Sequence, residues 1–210
     1  MNGTKERPAL QIDLSTSNLT YADSPGINTE NEKRQNAVIQ KGLLFALIFA
    51  FGGIFGFLNE EMFYRIDLGY WVKRGSTFGP WIPIYGVGAL IIALAADRLR
   101  NKPLMTFITA TTLCGVPEYA TGWVLLNEFQ TRLWDSNREV WNWGNIGGFI
   151  CFRSVLFFGI SAMFLQYVFI PLLNKLSQKC DTPLKRLAAF LPAVLFLADI
   201  LVFDLLNMLA

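Results

Sequence analysis

Five apolar stretches separated by short polar connections dominate the chain, at about 42–63, 81–96, 104–127, 148–173 and 187–208. Runs of about 18 or more apolar residues with few charges read as membrane spans. Backbone groups in lipid must pair within their own segment, so these spans are helices rather than strands. The pattern predicts an all-α, polytopic membrane protein with five transmembrane helices. The second stretch is short for a full crossing and is expected to begin in the Pro/Gly-rich segment before it. Residues 1–40 are polar, without sustained periodicity or an apolar signal-peptide core, and read as a disordered tail. Residues 41–210 form the membrane domain.

Composition agrees with this reading. Apolar residues make up 53% and charged residues 16%, against roughly 25% charged in an ordinary soluble domain. Mean hydropathy is +0.37. The net charge of +2 implies no nucleic-acid or other charged partner. Its distribution is more telling. With the tail cytoplasmic, the inner segments hold twelve basic residues: Lys5, Arg7, Lys33, Arg34, Lys41, Arg98, Arg100, Lys102, Lys175, Lys179, Lys185 and Arg186. The outer loops hold five: Arg65, Lys73, Arg74, Arg132 and Arg138. Cytoplasmic loops carry the excess of Lys and Arg, which places the N-terminus inside and, after five spans, the C-terminus outside the cell membrane. All six tryptophans fall toward the outer interface, the level that indole rings prefer.

The candidate chemistry is sparse. There is no histidine, the commonest general base and metal ligand. Cys114, Cys151 and Cys180 form no CxxC pair. No metal site, cofactor or catalytic group is predicted, and the absence of GxxxxGK[ST] means that the chain is not itself an ATPase. What stands out is polarity inside the spans. Thr111, Gly115, Glu118 and Gly122 recur at spacings of four, three and four, one small and polar stripe on the third helix. Small residues admit a neighbouring helix closely, and an intramembrane carboxylate is costly unless paired, protonated or wet. Arg153 lies about five residues into the fourth span. Opposite charges at similar depth should find each other, so Arg153 is expected to pair with a carboxylate: Glu118 first, Glu60 or Glu61 next. Asp199 and Asp204, five apart, fall on different faces of the last helix and make no two-carboxylate site. Gly52 and Gly56 form a weak GxxxG. Between the first two spans, Gly75, Gly79, Pro80, Pro83 and Gly86 interrupt any lipid-facing helix. This stretch reads as a re-entrant turn, or as a plain loop leading to Pro83 in the first turn of the second helix.

Two blocks carry a family resemblance. The first is Glu61 and Tyr64, then Arg74-Gly75, Gly79-Pro80 and Pro83-Ile84-Tyr85-Gly86. The second is Glu118, Thr121-Gly122, Glu128-Phe129, Trp134-Asp135, and Asn145 followed by Gly148 and Ile150-Cys151. In order and spacing these resemble the CmpB-type family of ABC-transporter permeases, over about residues 45–175. Phe149 stands where the family commonly has a basic residue, and Ser136 where an aromatic one follows Trp-Asp. Asn59-Glu60 precede Glu61, so the family glutamate is Glu60 or Glu61. The resemblance implies a permease partnered with a separate ATPase subunit; as a transport component in the bilayer, the chain would form a homo-oligomer through its small-residue faces. Glu61, Arg74, Tyr85, Glu118 and Arg153 are then the substrate-binding candidates. Gly75, Gly79, Pro80, Pro83, Gly86, Thr121, Gly122, Trp134, Asp135, Asn145 and Gly148 are the structural ones. The short inner connections, 97–103 and 174–186, leave room for at most one small coupling helix. Two other readings stand beside a permease: a membrane enzyme acting on a lipid-linked substrate through Glu118, Glu61, Asp135 and Tyr85, and a non-catalytic structural or regulatory subunit.

Overall fold

The computed structural model describes residues 25–75, 77–132 and 134–209. It divides into two units, residues 1–37 and 38–210. Helix α1 is assigned over Pro25–Leu68, so helix begins inside the polar tail, most of which lies outside the described residues. In the first unit an exposed Arg34–Glu30 pair, 2.9 Å apart at i, i+4, supports that turn.

The second unit is helical, and its only strand-like feature among the described residues is a single antiparallel bridge between Ile146 and Ile150. After α1 come α2 (Pro83–Ala96), a 3₁₀ turn (Asp97–Leu99), α3 (Pro103–Phe129), α4 (Phe152–Phe164), a π-helical turn (Leu165–Phe169), α5 (Ile170–Gln178) and α6 (Pro183–Leu209). Three stretches are long and apolar enough to cross a membrane: Glu30–Leu68, Phe152–Gln178 and Pro183–Phe203. Pro83–Ala95 is apolar but shorter. Helix α3 has the length, with 27 residues, but Thr106, Thr109, Thr111, Thr112, Pro117 and Glu118 dilute its hydropathy. The fourth predicted span, 148–173, starts at Phe152 and runs on to Gln178. Gly147 and Gly148, both at positive φ, hold the chain outside the helix until Cys151 caps it.

Glycines on α1 seat the second helix. A Cβ on Gly52 would lie 2.5 Å from that of Ala89 and 3.1 Å from the Tyr85 carbonyl, and one on Gly56 would enter the Tyr85 ring. The GxxxG, a weak signal in sequence, is therefore the α1–α2 seam. Toward the N-terminal end of this seam, Leu43, Leu47, Ile48, Ala89, Ala93, Leu173 and Cys180 form a buried core. Gly53 lies beneath Phe196, whose fully buried ring stacks between Phe49 (4.6 Å) and Trp81 (5.1 Å).

Helix α2 has 14 residues and covers about 21 Å, short of a hydrocarbon core of about 30 Å. The described residues that precede it, 69–75 and 77–82, are irregular. Several of their polar groups bond within the protein. Asp199, midway along α6, accepts the amides of Phe78 (3.1 Å) and Gly79 (2.7 Å) and the Trp81 indole N–H (2.7 Å). The Ile82 amide donates to the Gly53 carbonyl, and the Thr77 hydroxyl to the Trp81 carbonyl. The partners of Asp199 come from a loop about 120 residues earlier; the Asp204 side chain lies outside the described residues.

The Gly56→Ala variant should lower Tm in detergent, at a cost of about 1–3 kcal/mol for overpacking. Gly88→Ala, where the added methyl meets nothing within 4 Å, should leave Tm within error. Equal behaviour of the two would remove the seam from this account.

Candidate functional site

Charged and phenolic side chains from α1, α2, α3, α4 and two loops converge near the C-terminal end of α1. Glu60, Glu61 and Tyr64 occupy adjacent turns of that helix. Arg74 folds back onto them: its Nε donates to Glu60 Oε2 at 3.0 Å, its amide to Glu61 Oε1 at 2.8 Å, and its guanidinium lies 3.9 Å from the Tyr64 ring centroid. The side chain of Tyr85, at the start of α2, lies close to Glu60 and within electrostatic reach of Glu118.

The Tyr64 hydroxyl donates to Glu139 Oε1 at 3.0 Å, and the other oxygen of Glu139 accepts from Arg153 Nη2 at 2.6 Å. Arg153 Nη1 donates to the Val140 carbonyl at 2.6 Å, and the guanidinium lies 4.2 Å from the Phe63 ring centroid. The two side chains of this pair are only 18% and 12% exposed. Arg153 therefore has a carboxylate partner, but Glu118 is not it. Glu139, on the loop between α3 and α4, reaches the guanidinium instead, and Glu118 interacts with both at longer range.

Glu118 lies where the stripe on α3 puts it. A Cβ on Gly115 would meet Ile150 and Val155, one on Gly122 would meet Phe149 and Trp134, and one on Gly159 of α4 would meet Thr111 and Phe107. The stripe thus faces the start of α4 and the loop before it. Along it, Glu118 Oε2 and Thr111 Oγ1 are buried without a hydrogen-bond partner among the described residues. Leaving such atoms unpaired costs about 1–3 kcal/mol each. Of the four carboxylates, Glu60 and Glu139 each face a guanidinium, Glu61 takes a backbone amide, and Glu118 has neither.

The connecting loop is built by the second sequence block. Asp135 Oδ1 accepts from Arg132 (2.7 Å) and from the Asn137 side chain (2.8 Å) and amide (3.1 Å). Asn145 accepts the Gly148 amide at 2.7 Å and donates to Asn137 at 3.1 Å. The Trp134 indole donates to the Phe149 carbonyl at 2.8 Å. Gly148, at φ +79°, sits in the middle, where a Cβ would strike Arg132, Asn137 and Asp135. Desolvation pushes the Asp135 carboxyl upward, but the Asn137 donors and the Arg132 guanidinium outweigh it and hold the carboxyl below its usual range.

Residues 47–203 match the family model described as "Putative ABC-transporter type IV". The chain belongs to that family. No curated protein and no solved structure matches it. On this ABC-transporter-type chain the five binding candidates, Glu61, Arg74, Tyr85, Glu118 and Arg153, fall into one neighbourhood. Most structural candidates order the two loops that flank it: Gly75 at φ +82°, Gly79 through its bond to Asp199, Gly86 against Phe49, and Trp134, Asp135, Asn145 and Gly148 as above. Pro83 opens α2, whereas Pro80 and Thr121 are exposed. Sequence reasoning missed Glu139 and the bonding of Tyr64 and Asp199. Tyr64 was within a quoted motif; Glu139 carried no signal. Two of the six tryptophans, Trp81 and Trp134, spend their N–H groups inside the protein, while Trp71, Trp123, Trp141 and Trp143 are exposed.

Two predictions follow from this geometry. Arg153→Gln and Glu139→Gln should each destabilise the protein by about 3 kcal/mol, and the double variant by much less than their sum. Additive losses in detergent melting would show that the pair carries no coupling. For the loop, a carboxyl held below its unfolded value contributes stability that is complete above about pH 4 and is lost as pH falls through the lower native value. Amide exchange over residues 134–148 should therefore accelerate below that point, and Asp135→Asn should remove the acid step.

Proposed function

We propose that this chain is the membrane-embedded permease component of an ABC-type transporter, working with a separate ATPase subunit. Its substrate-facing polar site would comprise Glu61, Arg74, Tyr85, Glu118 and Arg153, with Glu60, Tyr64 and Glu139 holding them in place. The carrying observation is this cluster of four carboxylates and two guanidiniums in a chain of apolar helices whose family model covers residues 47–203. Intramembrane ionisable groups are expensive and mark substrate or ion pathways. A helix-locking role alone accounts less well for Glu118 and Thr111, which hold buried oxygens without a hydrogen-bond partner among the described residues.

In this reading the chain crosses the bilayer five times. Helix α3 counts as a crossing because Thr106, Ala110 and Gly115 are buried and its stripe packs on α4. Lys41, Arg98, Arg100, Lys102, Lys175, Lys179, Lys185 and Arg186 lie on the cytoplasmic side, with the N-terminus, and the polar site and the C-terminus face outward.

Two measurements test this. Purification of the full chain from its native membrane in mild detergent should retain an ATP-hydrolysing subunit, and Glu118→Gln should keep that subunit while uncoupling hydrolysis from transport. Absence of any ATPase partner would overturn the permease assignment. Asn142→Cys should react in intact cells with a membrane-impermeant maleimide and Gln178→Cys should not. The reverse pattern would invert the topology.

A further inference from the structure

Helix α5 ends the Phe152–Gln178 span with a change of character. One side is spent on the core: Leu173 and Ser177 are 2% and 1% exposed, and Leu173 packs with Leu43, Leu47 and Cys180. The opposite side carries Leu172, Lys175, Leu176 and Lys179, at i, i+3, i+4 and i+7, all exposed. These spacings put the four on one face. With Gln178 they line an open surface depression of about 360 Å³.

The charges near this depression are unevenly committed. Lys185 is held by Asp181 at 2.7 Å, and Arg186 donates to the Cys180 carbonyl at 3.1 Å. Lys175 and Lys179 have neither an ion pair nor a hydrogen bond among the described residues. Two unspent ammonium groups thus stand one helical turn apart at the end of a membrane-crossing stretch, interleaved on one face with the exposed Leu172 and Leu176. An aqueous anion would use the lysines and leave the leucines wet. An acidic protein segment would likewise engage the lysines through charge alone, whereas a molecule that carries an anionic head and acyl chains engages both residue types.

We propose that this depression is a binding site for an anionic phospholipid. Its phosphate would lie between Lys175 and Lys179, its glycerol backbone by Gln178, and the upper acyl carbons against Leu172 and Leu176. Basic residues at a membrane surface are worth about 1 kcal/mol each toward anionic lipid, about five-fold in affinity per lysine. The site is independent of the transport reading, since it needs only that Phe152–Gln178 spans the bilayer.

Native mass spectrometry of the full chain, titrated with dioleoyl phosphatidylglycerol or with dioleoyl phosphatidylcholine, tests it. Phosphatidylglycerol should be retained in preference. The Lys175→Gln/Lys179→Gln variant should weaken that retention about twenty-five-fold, two five-fold losses combined, while leaving phosphatidylcholine retention and Tm unchanged. Added inorganic phosphate at millimolar concentration should not displace the lipid. Three results would each overturn the proposal: equal retention of the two lipids, an unchanged double variant, or an equal loss on Arg98→Gln/Lys102→Gln, which would mean diffuse attraction to the basic end instead of a site. Displacement by phosphate alone would likewise show an anion site without lipid.

Discussion

A guanidinium surrounded by helices has five donors to fill and a full charge to offset, and it cannot shed that charge by losing a proton. Arg153 meets both demands at once: Glu139 neutralises it, the Val140 carbonyl takes a second N–H, and the Phe63 ring covers one face. Each partner belongs to a different stretch of chain from Arg153 itself. Satisfying one side chain therefore fixes the start of α4, the loop after α3 and the end of α1 against one another. Arg74 does the same on the other side of α1, where Glu60, Glu61 and Tyr64 draw the first loop inward. In a medium without water a half-satisfied arrangement of this kind would be worse than an apolar one. The polar network thus specifies the arrangement that greasy surfaces alone would leave loosely defined.

The close approach of helices makes that network reachable. Glu60 can meet Tyr85 only because Gly52 and Gly56 let α2 lie directly on α1. Glu118 comes within range of Arg153 and Glu139 only because Gly115 and Gly122 admit Ile150, Phe149 and Trp134 onto α3. Glycine and charge work in sequence here. The small residues set the distance, and the ionic groups make that distance favourable. Asp199 repeats the principle for the irregular segment ahead of α2, taking three donors from it onto α6.

How far this was legible in the sequence depends on whether a partner lay in the same helix or far along the chain. The apolar runs at 104–127 and 187–208 became helices extended by a few residues at each end, because length and hydropathy are local properties. The stripe of Thr111, Gly115, Glu118 and Gly122 was legible for the same reason: helical spacing fixes a face. Arg153 was rightly expected to need a carboxylate, yet the acids considered were those on helices at matching depth. Glu139 sits in a loop that folds back, and no period reports where a loop residue comes to rest. The position of Asp199 on the last helix could not announce a partner loop about 120 residues away. The π-turn at Leu165–Phe169 and the buried Gln166 within it had no counterpart in the pattern at all.

The distribution of bonds also constrains how the bundle can open. Glu139 accepts from Tyr64 of α1 with one oxygen and from Arg153 of α4 with the other, so separating those helices would break at least one charge-assisted bond, worth about 1.5–3 kcal/mol. Parting α1 from the first loop would cost the Arg74 contacts in the same way. The α3–α4 seam differs. It meets through glycine and apolar side chains, and its polar atoms, Glu118 Oε2 and Thr111 Oγ1, hold no protein bond that opening would break. Pro117 removes the backbone donor one residue before Glu118, so α3 is also the helix with a weakened ladder at this level. Opening along this seam would therefore break none of the charge-assisted bonds that hold α1 to α4, and the bundle's polar contacts resist separation least on the α3 side.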